Sequence, residues 1–208
     1  MTDLRPYWPD VLVEHTAISD RLVAAYGDPA RAYHDTVHLA EVFERIDVLL
    51  ASEPTAGIDH DALLLAAWFH DAVYDTEGDN EERSARLAER ELSTAEAPPL
   101  LVEEVTRLVR LTATHRAPET DRTGRVLCDA DLGILAADDA RYEQYAAAVR
   151  QEFAAVPDDN FRAGRADILR RLLSSPTIFR TSFAKQHWEK PARRNVEREL
   201  AQLVPPAG

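Results

Sequence analysis

Cysteine is nearly absent. Cys128 stands alone, which excludes an intrachain disulfide and a cysteine-rich zinc site. Glycine is scarce at seven residues, and no β-branched alternating runs bounded by turn signals occur, so little in the chain asks for a sheet. No stretch approaches the roughly 18 apolar residues of a membrane span. The opening MTDLRPYWPD lacks the basic start and apolar core of a signal peptide, and the expected location is cytoplasmic. Basic side chains are also few: 24 against 37 acidic ones, a net charge of −13. Such a surface repels a phosphate backbone, so nucleic acid is not an expected partner. A small anionic substrate stays compatible, because a few arginines in one pocket outweigh distant charge that salt screens.

What remains is a chain of 45% apolar and 29% charged residues, the composition of a globular protein, and 208 residues suffice for one domain spanning 1–208. Nearly every apolar stretch repeats with helical spacing. The pattern predicts helices at 9–26, 36–52, 59–74, 80–93, 99–115, 124–137, 139–155, 159–174 and 189–203. Gly27-Asp28-Pro29, Ser52-Glu53-Pro54, Ala97-Pro98-Pro99, Val156-Pro157-Asp158 and Ser175-Pro176 fall between them. The expected fold is all-α, a single compact multi-helix domain without a flexible linker.

Some polar residues sit where that pattern wants apolar ones. In YHDTVHLAEVFERIDVLL the apolar positions 39, 42, 43, 46, 49 and 50 form one stripe, and His38 and His34 extend it at four-residue steps. Residues 62–69, ALLLAAWF, are apolar on every side, so that helix should be central, yet it ends in His70 and Asp71. A carboxylate withdrawn from water without a partner costs several kcal/mol or shifts its pKa until neutral. In VLCDADLGIL, Asp131 lies four after Leu127, three before Ile134 and four before Leu135, on the stripe; the alternative role for it is a helix cap. Asp129 lies off the stripe, in solvent or supporting the site. His115 closes an apolar helix four residues beyond Leu111. Together His38, His70, Asp71 and Asp131 supply two neutral imidazoles and two carboxylates, a set suited to one divalent ion: manganese, iron, nickel, zinc or magnesium.

These residues resemble the HD superfamily of metal-dependent phosphohydrolases, whose pattern is His…His-Asp…Asp on the helices of an all-α domain. The resemblance implies an HD-domain-like fold with the metal in its helical core, held by His38, His70, Asp71 and Asp131. YHDTVH is similar to the YHNxxH signature of cyclic-nucleotide phosphodiesterases, with Asp35 in place of Asn, which would make His34 the general acid; a fifth metal ligand is its other role. DNEERSA, TATH, DADLGIL, YEQYAAAVRQEF, FRAGRADIL and EKPARRNVERELAQL resemble a bacterial group of predicted HD phosphohydrolases, a match covering most of the chain.

The implied activity is hydrolysis of a phosphoester, mono or di, on a small, nucleotide-like molecule by metal-activated water. Glu82 would orient that water or accept its proton; its other reading is a capping box with Asp79. Charge on the phosphoryl group calls for cationic groups, with His115 and Arg165 first, then Lys185 and Arg193; Arg116, Arg122 and Arg125 lie in a loop able to cover a pocket. Asp75, four past Asp71, either supports the site or faces solvent. Cys128 reads as a small core residue, and Tyr142, Tyr145 and Phe153 as core aromatics. The alternative function is a non-catalytic sensor or interaction module that keeps the pocket for metal and nucleotide. A homodimer is compatible with the chain, though no feature demands it.

Overall fold

The computed structural model describes residues 3–52, 54–76 and 78–204, and among these every regular element is helical. Ten α-helices follow in order: α1 (Thr16–Tyr26), α2 (Thr36–Ser52), α3 (His60–Phe69), α4 (Asn80–Thr94), α5 (Pro99–Leu111), α6 (Arg122–Asp131), α7 (Asp139–Glu152), α8 (Asp158–Ser174), α9 (Ser182–His187) and α10 (Glu189–Leu203). Short 3-10 segments at Arg5–Tyr7, Asp10–His15 and Leu132–Ala136 join them. No helix of the described residues is long and apolar enough to cross a membrane.

The apolar run of α3 makes it the centre of the fold: Ala62 through Phe69 are all buried, with α2, α5 and α6 packed around them. α2 offers the predicted stripe, with Leu39, Val42, Phe43, Ile46 and Leu49 all fully buried, each contributing about 1.5–3 kcal/mol by leaving water. α4 covers α5, while α10 packs on α8 and on the 3-10 segment after α6. Asp59, Asp121 and Asp138 cap α3, α6 and α7 by accepting from the backbone N–H of Ala62, Gly124 and Arg141. Each such cap contributes about 1 kcal/mol.

The helix boundaries depart from the sequence pattern at several places, each with a local cause. The segment expected as 9–26 starts as 3-10 turns, because Leu12 leaves helical geometry (φ −123°, ψ 25°) and its carbonyl accepts from Trp8 Nε1 at 2.8 Å. The helix expected to run to 74 stops at Phe69. Beyond it side chains take over the backbone: Tyr26 Oη meets the N–H of Asp71 (3.2 Å) and Ser84 Oγ that of Val73 (3.0 Å). Arg31 donates to the carbonyls of Asp71 (2.6 Å) and Ala72 (2.9 Å), so no helical partner is needed there. α5 ends at Leu111 rather than 115, and His115 takes the left-handed region (φ 52°). α6 tightens to 3-10 after Asp131. The six-residue α9 was absent from the pattern, being too short to show a period.

Candidate metal centre

His38 lies in the first turns of α2, His70 and Asp71 where α3 unwinds, and Asp131 at the last position of α6. Packing α2 and α6 against α3 brings the four side chains together. His38, His70 and Asp71 offer ligand atoms all within 4.8 Å of one another, a cluster that could hold a metal ion. Nε2 of His38 and Nε2 of His70 are 3.1 Å apart, and Asp71 Oδ2 is 3.4 and 3.1 Å from them. Asp131 Oδ1 stands somewhat further out, 3.5 and 3.7 Å from the same nitrogens. Atoms held about 2.1 Å from a common ion lie about 3.0 Å apart at right angles and about 3.4 Å apart at tetrahedral corners. The spacings among His38, His70 and Asp71 match such edges, while Asp131 lies outside the group whose ligand atoms are all within 4.8 Å of one another. Asp131 forms no side-chain cap bond, which removes the capping explanation for its position.

The chemistry of the donor set also fits a cation. His70 Nδ1 lies 2.8 Å from the carbonyl of Ala67, which can only accept, so Nδ1 carries a proton. A neutral His70 then turns the lone pair of Nε2 toward Asp71 Oδ2, a contact that repels unless a proton or cation lies between them, whereas toward His38 that lone pair can accept from Nε2–H. Burial disfavours the charged imidazole, yet the carboxylates of Asp71 and Asp131 overcome it and push the His70 pKa up to about 10. His38 moves the other way, burial lowering it. Against their own burial, Asp71 and Asp131 are both held below the usual carboxylate range, each chiefly by His70. Without metal the site therefore favours a proton on His70; a divalent ion supplies the same charge. His38 Nδ1 is buried with no partner, leaving its tautomer free to present a lone pair on Nε2.

Beside this cluster stands a pair the sequence reading did not assemble. His34 Nδ1 lies 2.8 Å from Oε2 of Glu152, the last residue of α7, and Tyr74 donates to the same oxygen at 2.9 Å while its ring stacks on His34 at 4.0 Å. Oε1 of Glu152 accepts the backbone N–H groups of Ala32, Tyr33 and His34 at 2.8–3.0 Å. Burial opposes its charge, but His34 and these amides hold its pKa down at about 2. Glu152 lies seven residues after Tyr145 and three after Val149, both buried, the same signature of a carboxylate on an apolar stripe that singled out Asp131. Arg31, also missed, ties the two halves by donating to the carbonyls of His34, Asp71 and Ala72.

The remaining candidates spread out. His115 joins the cluster from behind, its Nε2 2.8 Å from Asp131 Oδ2. Glu82 pairs with Arg110 and Arg86 on the surface, which hold its pKa at about 2, and Asp79 makes no cap bond, so no capping box forms. Arg165 is buried in a two-bond pair with Glu199 (2.8 and 3.1 Å) and donates to Tyr145 Oη. Arg193 holds Glu189 (2.6 Å) and the carbonyls of Leu173, Ser175 and Pro176. Lys185 is exposed on α9, and Asp75 pairs with Arg83. Arg122 donates to carbonyls of Pro54 and Ala56, and Arg125 to that of Arg180, so neither covers a pocket. Asp129 is not in solvent: it is fully buried and accepts from the N–H groups of Arg180 and Thr181 and from Thr181 Oγ1. Cys128 is fully buried, its thiol pushed up by that burial, as a core residue would be.

A cleft of about 950 Å³ opens onto the cluster, with His34, Asp71, His115 and Asp131 in its wall. Arg116, Arg171 and Arg180 also line it, as do Glu81 and the Arg165 that Glu199 holds. Compared with protein-family models, with curated proteins and with solved structures, the chain matches none.

Proposed function

We propose that the chain is a metal-dependent phosphohydrolase of the HD type, cleaving a phosphoester of a small, nucleotide-like molecule. The observation that carries this reading is the approach of Asp71 and Asp131 to the same two imidazole nitrogens in the wall of the cleft. His38, His70, Asp71 and Asp131 would hold one divalent ion, which when bound polarises a phosphoryl oxygen and acidifies water.

The chain's own groups have separable tasks. His34 lies within the cleft wall and donates a proton to the leaving oxygen; the Glu152 carboxylate on Nδ1 orients the ring and leaves Nε2 for the transfer. Tyr74, stacked on that ring, and the three backbone amides on Glu152 keep the pair from turning. His115 fixes Oδ2 of Asp131 so that Oδ1 stays toward the imidazoles.

A screen of nucleotides, sugar phosphates and cyclic dinucleotides with several divalent metals tests the reading. Turnover of at least one phosphoester, abolished in Asp71→Asn, supports it. Tight nucleotide binding without turnover across the screen would identify a sensor instead.

A further inference from the structure

The basic arm of the cleft is built separately from the cluster of imidazoles and carboxylates. Residues 175–181 cross from α8 to α9 with their backbone pinned by two carboxylates. Glu189 accepts from the N–H groups of Ile178 and Phe179 (3.0–3.2 Å), and Asp129 from those of Arg180 and Thr181 (2.7–2.9 Å). Arg193 steadies Glu189, and Arg125 holds the carbonyl of Arg180. Asp129 is two residues before Asp131 on the same helix, so α6 fixes the loop and the cluster together. This crossing sets Arg180 in the cleft wall with its Nε buried and without a hydrogen-bond partner. A buried guanidinium N–H left unpaired costs energy that an anion would recover. Arg171 on α8 and Arg116 after α5 are exposed in the same wall, and no described carboxylate pairs with either, nor with Arg180. On a chain with 13 more acidic than basic side chains, three arginines without acidic partners around one cleft are hard to attribute to surface chance.

We propose that Arg180, Arg171 and Arg116 form an anion subsite that takes a second phosphate group of the substrate, apart from the phosphoester that is cleaved. The subsite rests on the phosphohydrolase reading for its purpose but not for its existence. It makes the preferred substrate a molecule with two phosphate groups, or an oligophosphate, rather than a simple monoester. The guanidinium groups offer forked donors to phosphate oxygens, and the pinned crossing keeps Arg180 from swinging away as the ligand leaves.

The test is binding of inorganic tripolyphosphate, by calorimetry in excess EDTA, to the full chain and to Arg180→Gln, Arg171→Gln and Asp71→Asn. Chelation removes any cation from the carboxylates, so the arginine arm is the attraction that remains. The subsite predicts measurable binding to the unaltered chain and to Asp71→Asn, weakened about tenfold or more in Arg180→Gln and in the surface variant Arg171→Gln. No binding by the unaltered chain, or unchanged affinity in both arginine variants, overturns it. Binding that follows this pattern in a protein that hydrolyses no phosphoester leaves the subsite standing and removes the hydrolase. Turnover without the pattern does the reverse.

Discussion

Glu152 grips the chain around His34 with both of its oxygens: one bonds the imidazole Nδ1 at 2.8 Å, the other accepts three consecutive backbone amides. A side chain at the end of α7 thereby sets the position of the residue assigned as proton donor. Glu152→Gln keeps the size and most of the amide bonds but removes the charge. We expect it to lower kcat by about a hundredfold with a smaller change in KM. Steady-state kinetics over pH 5–9 check this.

The same carboxylate makes a stability prediction. Its pKa is about 2 in the folded chain, against about 4.5 when exposed. A depressed carboxylate contributes stability that is complete above the unfolded value and disappears as pH falls toward the folded one. Thermal melts between pH 5 and pH 2 should therefore drop more steeply for the unaltered chain than for Glu152→Gln, the two curves converging at the acid end.

Arg165 was a candidate phosphate ligand, but its guanidinium is engaged by Glu199 and Tyr145 inside the protein. Arg165→Met leaves Glu199 buried without its partner, and should cost about 3 kcal/mol or more of stability. Denaturant unfolding reads this directly. The double change Arg165→Met with Glu199→Leu should recover much of the loss, which an essential substrate contact would not allow in an activity assay.

Glu82 gives the opposite expectation. Held between Arg86 and Arg110 and away from the cluster, its carboxylate is a poor proton acceptor. Glu82→Gln should keep kcat within about twofold, since the exposed ion pairs it loses are worth little. A loss approaching that of Asp71→Asn would return Glu82 to the chemistry.

Part of the clustering of His38, His70 and Asp71 was legible in sequence because burial leaves a periodic trace. The stripe of α2 pointed His38 inward and the all-apolar α3 made Asp71 anomalous, but helical phase set Asp131 inward and Asp129 outward, whereas Asp129 is fully buried and Asp131 is partly exposed. The same rule applied to Tyr145 and Val149 would have picked Glu152. Other parts leave no such trace. Arg31 works by donating to carbonyls some 40 residues away, which carry no side-chain signal. The end of α3 depends on Tyr26, Ser84 and Arg31 arriving from other elements. The pattern left Asp129 either in solvent or supporting the site, since its donors come from a crossing 51 residues later, and α9 is shorter than two helical turns.

The central claim is that a divalent cation compensates the carboxylates of Asp71 and Asp131. Elemental analysis of protein purified without chelator tests it most directly, alongside Asp71→Asn and Asp131→Asn shown folded by circular dichroism. We expect about one transition-metal ion per unaltered chain and a level near background in both variants. Background metal in the unaltered chain after incubation with manganese, iron, nickel and zinc, or equal loading of all three proteins, would contradict it.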